Sequence, residues 1–474
     1  PPEELESVLR PYQREGFEWL ARMGRLRLGC VLADDMGLGK TLQALAYLAA
    51  RERNNPTLIV APTSVCENWK RECRRFTSEL QPILYRGPAR ARRLRDLAAD
   101  DVVVVSYALL VRDHEPLSAT DWDVVVFDEA QYLKNPNAKT TRAAMALPAL
   151  HRLALTGTPI ENHLGELWSL FRLLVPGLLG PHKRFTERFA RPIHAGSREA
   201  AAALSALIRP YILRRDKAAV APELPPREEI VVHVDLDATS QALYERVRAH
   251  AELHLTSNAQ EQLGLEKRRF EVLSSLTKLR QAACSPALLD EAGERRSPKL
   301  TRALDMLEML VDEGRQVLVF SQFVRFLDLL QHELDGRTLP SLRLDGSTPG
   351  PTRQARIDAF QHGECPVFLI SLKAGGTGLN LTAADTVIHL DPWWNPAAEQ
   401  QANDRAHRIG QTKPVTVYKL VARGTVEDKI LELQRRKKEL LASALGGTTT
   451  AFALSVEEMT ELFSSPCADG AGRP

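Results

Sequence analysis

Between Asp34 and Thr41 the chain reads DDMGLGKT, a glycine loop set between an apolar stretch and a helical one. Glycines let backbone N–H groups approach phosphate oxygens, and the N-terminus of a following helix adds a favourable dipole. In such a loop Asp35, Met36, Gly37, Leu38 and Gly39 form the cradle. The Lys40 ammonium reaches the β and γ phosphates of a nucleotide, and the Thr41 hydroxyl ligates Mg2+. The strict pattern has glycine where this chain has Asp34, so a glycine turn ahead of a core helix is the competing reading. The run VVVFDEAQ (124–131) answers it by ending an apolar stretch on two carboxylates. Asp128 is placed to hold Mg2+ through water, and Glu129 to orient and deprotonate an attacking water. Farther on, QQANDRAHRIGQ (400–411) sets Arg405 and Arg408 three residues apart, which on a helix is one face. With Glu399 and Asp404 close by, this could be a surface ion-pair helix. The functional reading sends both guanidiniums across a cleft to a γ-phosphate, where such an arginine is worth ~10³–10⁵ in rate.

These groups need strands to carry them. The stretches 31–34, 57–62, 101–107, 122–130 and 152–157 are apolar and often β-branched, too continuous to alternate. They suit strands buried on both faces of a parallel sheet. The second half repeats the style at 316–322, 341–346, 366–372, 385–391 and 414–420. Two separate α/β sheets follow. Residues 161–210 and 236–292 carry Leu, Phe and Ala at helix spacing instead. The Pro-rich APELPPREE (221–229) reads as a linker, which places one domain at 1–228 and the other at 229–474. From Thr425 a basic helix is expected, then a Gly/Thr turn and a short capped helix over 455–463.

Composition narrows the class. A chain of 474 residues is too long for one core. Its net charge of +2 supplies no global attraction to nucleic acid, so any such binding must come from local patches. The six cysteines form no CxxC pair and have no histidine cluster at metal spacing, which disfavours a zinc site or disulfide framework and favours a reducing compartment. No apolar run has membrane-spanning length. The chain starts Pro1-Pro2 without Met, which reads as a piece cut from a longer protein.

In this order, the blocks LRPYQREGFEWL (9–20), LTGTPIENHLGELWSLFRLLVPG (155–177), YILRRDKAAVAPELPPRE (211–228), DGSTPGPTRQARIDAFQ (345–361), the long run 373–411 and GTVEDKI (424–430) resemble the Swi/Snf family of helicase-like ATPases. The resemblance implies two RecA-like parallel-sheet lobes, each with an inserted helical protrusion, and ATP with Mg2+ as the bound nucleotide and metal. By position it implies that Gln13 reads the adenine edge, with Tyr12 and Arg14 near the nucleotide. Gly376, Gly378 and Asn380 would belong to the second-lobe block near the γ-phosphate and the DNA. Thr156, Gly157 and Thr158 match the block that couples hydrolysis to lobe movement. Gln131, where many relatives have His, would tune coupling between ATP and DNA. Asp34 in the first glycine position is itself typical of this family.

The resemblance also implies double-stranded DNA as the track and a DNA-bound protein complex as the load, on a monomeric core without a membrane. The location would be the bacterial cytoplasm with its nucleoid, or the nucleus of a eukaryote. Polar residues after strands suit phosphate contacts that read no bases: Thr63, Ser64, Ser106 and Tyr107. Basic clusters at 70–75, 90–95, 214–217, 266–269 and 434–439 could add to that footprint, although each alone is more simply a solvated face. Trp394, beside Trp393, could stack on a base or serve as packing.

Overall fold

A computed structural model describes residues 1–157, 164–222, 224–257, 265–289, 296–375, 379–394, 396–444 and 462–463. The chain divides into two compact units; the first change falls between Glu223 and Leu224, and a later stretch from Glu439 is grouped with the first unit. The first change is a few residues before the boundary expected from the Pro-rich stretch.

The first unit is built on β1 (Cys30–Leu32), β2 (Thr57–Ala61), β3 (Gln81–Leu84), β4 (Asp101–Ser106), β5 (Trp122–Asp128), β6 (Ala149–Leu155) and β7 (Ile212–Leu213). They form one sheet in the order β3-β4-β2-β5-β6-β1-β7. Every pair in it is parallel. The β-branched runs form strands because both faces are covered. Leu58, Val60, Val103, Val105, Val125 and Phe127 face one buried layer, and Ile59, Val102, Val104, Val124 and Val126 face the other.

The second unit carries β8 (Arg227–Val234), β9 (Val317–Ser321), β10 (Ser341–Leu344), β11 (Val367–Ser371), β12 (Thr386–His389) and β13 (Val415–Ala422). Their order is β10-β11-β9-β12-β13-β8, again with all pairs parallel. The fold is thus two RecA-like parallel sheets with surrounding helices, as the sequence led us to expect.

Three strands were not anticipated. β8 begins inside the Pro-rich stretch that reads as a linker: Arg227, Glu228 and Glu229 pair with Val415, Thr416 and Val417. It is an edge strand with several residues in solvent, so charge there does not mark a loop. β3 contains Pro82, which fits only an edge, and its outward Leu84 carbonyl accepts from Arg93 Nη1 at 3.3 Å. β7 has only two residues.

The expected insertions are mostly helical among the described residues. In the first unit Leu164–Leu174 and Arg198–Ile208 frame a small core of Leu167, Trp168, Phe171, Phe185, Phe189 and Leu204. In the second, Ala238–Ser257 and Leu265–Cys284 pack through Tyr244, Ala251, Val272 and Leu276. Most of the short helix expected over 455–463 lies outside the described residues. Leu462 and Phe463 are buried in the same cluster as Val426 and Ile430.

Gly29, just before β1, lets the strand pass the end of helix Leu164–Leu174. A Cβ on Gly29 would stand 2.0 Å from the Leu174 carbonyl oxygen, a backbone atom that cannot swing away. Gly29→Ala is therefore expected to lower unfolding stability by about 1–3 kcal/mol, read as a shifted denaturant midpoint. An unshifted midpoint would show that the strand and helix ends separate freely.

Candidate active site

β1 feeds the glycine loop, and helix Lys40–Ala49 leaves it. Gly37 and Gly39 hold φ of 86° and 74°, the left-handed region where a side chain is costly. At Gly39 there is also no room: a Cβ would lie 2.4 Å from Gln13 Nε2. Lys40 Nζ donates to the Asp34 and Asp35 carbonyl oxygens at 2.6 and 3.2 Å. Burial pushes its ammonium below the ordinary value, against the pull of Glu129, Asp34, Asp128 and Asp35. The loop lysine therefore shares one local field with the paired carboxylates, as its spacing from them in the sequence could not reveal.

Helix Pro11–Arg25 closes over the loop. Tyr12 Oη and Gln13 Nε2 both donate to the Leu38 carbonyl, at 3.0 and 3.1 Å, and Gln13 Oε1 accepts from Arg10 N at 3.0 Å. Gln13 is thus at the lip of the phosphate loop. Met36 lies against Gly157, where a Cβ would meet Met36 Cγ at 2.7 Å. The block after β6 and the phosphate loop are in contact there.

The carboxylates sit at the carboxyl end of β5. Asp128 Oδ2 accepts from Trp69 Nε1 at 2.8 Å, and its Oδ1 accepts from Glu129 N at 2.9 Å. Burial first, then repulsion from Glu129, raises the Asp128 carboxyl to about 7. A divalent cation would reverse that balance, since it favours the ionised form. Glu129 is almost fully buried and adopts φ 50°, ψ 54°, a left-handed backbone without glycine. Such strain persists only where surroundings enforce it. Here Gln131 Nε2 donates to Glu129 Oε2 at 2.7 Å, and Thr156 Oγ1 donates to Gln131 Oε1 at 3.1 Å. Thr156, Gln131 and Glu129 form one hydrogen-bonded series. Thr41 and Asp128 carry oxygens of the hard kind that Mg2+ takes, and Gly37 and Gly39 keep the loop free of side chains that would crowd a phosphate. Thr158, Gly376 and Gly378 lie outside the described residues.

In the second unit Arg405 and Arg408 do converge, but not on a helical face. Helix Pro396–Asn403 ends before them, and they follow in turns. Both Nη1 atoms donate to the Leu379 carbonyl, at 3.3 and 3.4 Å. The turn is fixed from beneath: His389 Nε2 bonds Asn403 Oδ1 at 2.7 Å, Lys419 pairs with Glu399 at 2.9 Å, and Gln411 Nε2 donates to the carbonyls of Thr382, Ala384 and Ala406.

Residues expected on DNA divide into two groups. Thr63, Ser64 and Asn380 are exposed. Ser106, Tyr107 and Trp394 are buried or half-buried. Ser106 Oγ caps a helix by accepting from Leu109 N, and the buried Tyr107 donates to the Asp128 carbonyl at 2.8 Å while stacking on Tyr132. Trp394 stacks on Trp393 at 3.9 Å, with the Arg280 guanidinium 5.1 Å from its ring. For these three the geometry displays capping and packing contacts within the protein. The cluster at 214–217 is likewise drawn inward: Arg215 pairs with Asp34 at 2.5 Å. Trp69, Arg215 and Gln43 are parts of the site that no motif marks. The one available signal was Asp34, a carboxylate at the end of a buried strand, which requires a cation.

Comparison with known proteins gives this geometry a family. A profile described as SNF2-related domain matches residues 12–288, and one described as helicase conserved C-terminal domain matches 298–410. The putative ATP-dependent helicase/translocase YwqA of Bacillus subtilis is 40% identical over 97% of this chain and 51% of its own. TATA-binding protein-associated factor mot1 of Aspergillus fumigatus is 35% identical over 98% of this chain and 28% of its own. A solved structure of the Sulfolobus solfataricus SWI2/SNF2 ATPase core in complex with dsDNA is 37% identical over 97% of each chain, with a TM-score of 0.46. The chain thus spans about half, or less, of the curated relatives it matches. Because the SNF2-related profile matches more than half of its residues, the chain belongs to the SNF2-related family of helicase-like ATPases.

Proposed function

We propose that this chain is a DNA-stimulated ATPase that moves along double-stranded DNA and displaces or remodels protein bound there, without general strand separation. The observation that carries the reading is the series Thr156–Gln131–Glu129. It ties the water-activating carboxylate to the block after β6, so hydrolysis and movement share one set of hydrogen bonds. The helical insertions support duplex over single-strand use, as grips a simple strand-separating helicase lacks. YwqA is named a helicase/translocase and mot1 a TATA-binding protein-associated factor. Those names motivate a DNA track and a DNA-bound protein as the load.

The roles follow from chemistry. Loop amides and Lys40 hold the ATP phosphates and offset their charge. Thr41 and Asp128 would hold Mg2+, which screens phosphate charge when bound. Glu129 takes the proton of the attacking water while Gln131 fixes its carboxylate. Arg405 and Arg408 are assigned to the charge that develops on the γ-phosphate in the closed state. Thr63, Ser64 and Asn380 are assigned to the sugar-phosphate track.

Glu129→Gln is expected to bind ATP normally and to lose at least ~10²-fold in duplex-stimulated turnover, since general-base catalysis supplies that much. Turnover at the wild-type rate would sink the assignment. Gln131→Ala is expected to lower duplex-stimulated turnover by about tenfold, and by more than it lowers basal turnover. The check is steady-state hydrolysis with duplex DNA, single-stranded DNA and RNA in parallel. Triplex displacement should succeed where fork opening fails. Efficient fork opening from a single-stranded tail would instead identify a strand-separating helicase.

A further inference from the structure

Asp34 is wholly buried at the start of the phosphate loop. Its carboxylate is met by a forked guanidinium: Arg215 Nε reaches Oδ1 at 3.0 Å and Nη2 reaches Oδ2 at 2.5 Å. Arg215 Nη2 also donates to Gln43 Oε1 at 2.7 Å, and Gln43 Nε2 donates to Asp34 Oδ2 at 3.2 Å. Arg215 Nη1 donates to the Tyr12 carbonyl, and the guanidinium lies 5.2 Å from the Tyr12 ring. One side chain therefore joins the phosphate loop, the helix that follows it and the helix that bears Gln13. The backbone adds to the tie. Ala33 N donates to the Leu213 carbonyl at 2.7 Å, and Asp35 N donates to the Arg215 carbonyl at 3.0 Å. Lys217 N donates to Asp35 Oδ2 at 3.2 Å.

Gly16, on helix Pro11–Arg25, is an independent sign that the space is reserved. A Cβ there would stand 1.9 Å from Gln43 Oε1 and 2.7 Å from Arg215 Nη2. Residues 213–217 are also the stretch by which the chain leaves the first unit, a few residues before the division at Glu223.

We propose that Arg215 is a positioning residue for nucleotide binding, one that locks the arm of the phosphate loop to the segment leaving the first unit. The proposal rests on reading the loop as the ATP site. The hydrogen bonds of the Arg215 guanidinium go to Asp34, Gln43 and Tyr12. It sets the backbone of Asp34 and Asp35, whose carbonyls receive Lys40, and the Tyr12–Gln13 turn, whose side chains hold Leu38. The loop should thus be preformed only while the exit segment is docked, so that ATP affinity depends on a stretch of chain outside the nucleotide contacts.

The test uses Arg215→Lys, which keeps the charge but loses the fork, and Gly16→Ala, which adds a methyl group where the guanidinium and the Gln43 amide lie. Affinity for a fluorescent ATP analogue is measured without DNA, beside the melting temperature and the KM and kcat of the full chain. Both variants are expected to weaken nucleotide binding and raise the ATP KM by about tenfold, with kcat reduced by less than about threefold. The melting temperature should stay near wild type. Gly16→Ala is the second route if Arg215→Lys folds poorly, since alanine favours the helix itself. Wild-type affinity in both folded variants, or a loss that merely follows a fall in melting temperature, overturns the proposal. If the wild type binds ATP but duplex DNA fails to stimulate it, the translocase reading falls and the affinity comparison still decides the role of Arg215.

Discussion

Burial of both faces of two parallel sheets is the constraint on which the rest of this chain depends. Strands covered on both sides disfavour polar groups, because such burial costs several kcal/mol without a partner. Chemistry is confined to the strand ends. Each carboxyl end delivers something: β1 the loop with Asp34, β2 Thr63 and Ser64, β5 Asp128 and Glu129, β6 Thr156. In the second unit β9 ends at Ser321 and β12 leads to Asp391, whose Oδ1 accepts from the Ser321 hydroxyl at 2.5 Å. Parallel pairing places all these ends on one edge of each sheet, where ligands of open α/β sheets bind.

Where polar groups do enter the interior of the second unit, they come in pairs. Arg280 and Asp391 are both fully buried and 3.1 Å apart, and Lys299 meets Glu427 at 2.5 Å with neither side chain exposed. Arg280 also lies 5.3 Å from the Phe323 ring and 4.9 Å from that of Trp393. Replacing a buried pair by apolar groups is often neutral, whereas losing one partner is strongly destabilising. Their value here is orientation: Arg280 also donates to the Pro392 carbonyl and so fixes the tryptophan pair. Burial still leaves a mark, since it raises the Asp391 carboxyl to about 6 despite its partners.

Much of this was legible in the sequence, because motif spacing and continuous apolar runs report local physics directly. The loop DDMGLGKT, the DEAQ carboxylates and the ten expected strands depend on neighbours in the chain. What stayed hidden depends on distant partners. Nothing near Asp34 announces Arg215, 181 positions away. β8 is charged and preceded by prolines, and only its pairing with β13 makes it a strand. Ser106 and Tyr107 carry groups that suit phosphate, yet the hydroxyls are spent on a helix cap and on the Asp128 carbonyl. Arg405 and Arg408 have helix spacing, but a turn held by Gln411 is what brings them together.

One end of the first sheet has a further consequence. An edge strand offers unpaired N–H and C=O groups to any passing chain, and that invites intermolecular pairing. In β3, Pro82 has no amide hydrogen to offer, and the Leu84 carbonyl is already taken by the Arg93 guanidinium and the Arg86 amide. Two of the positions a foreign strand would need are closed, and the positive charge beside them repels a second copy of the same edge. Growth of the sheet is thus stopped by covalent structure at one residue, and at another by a carbonyl that the chain itself has already satisfied.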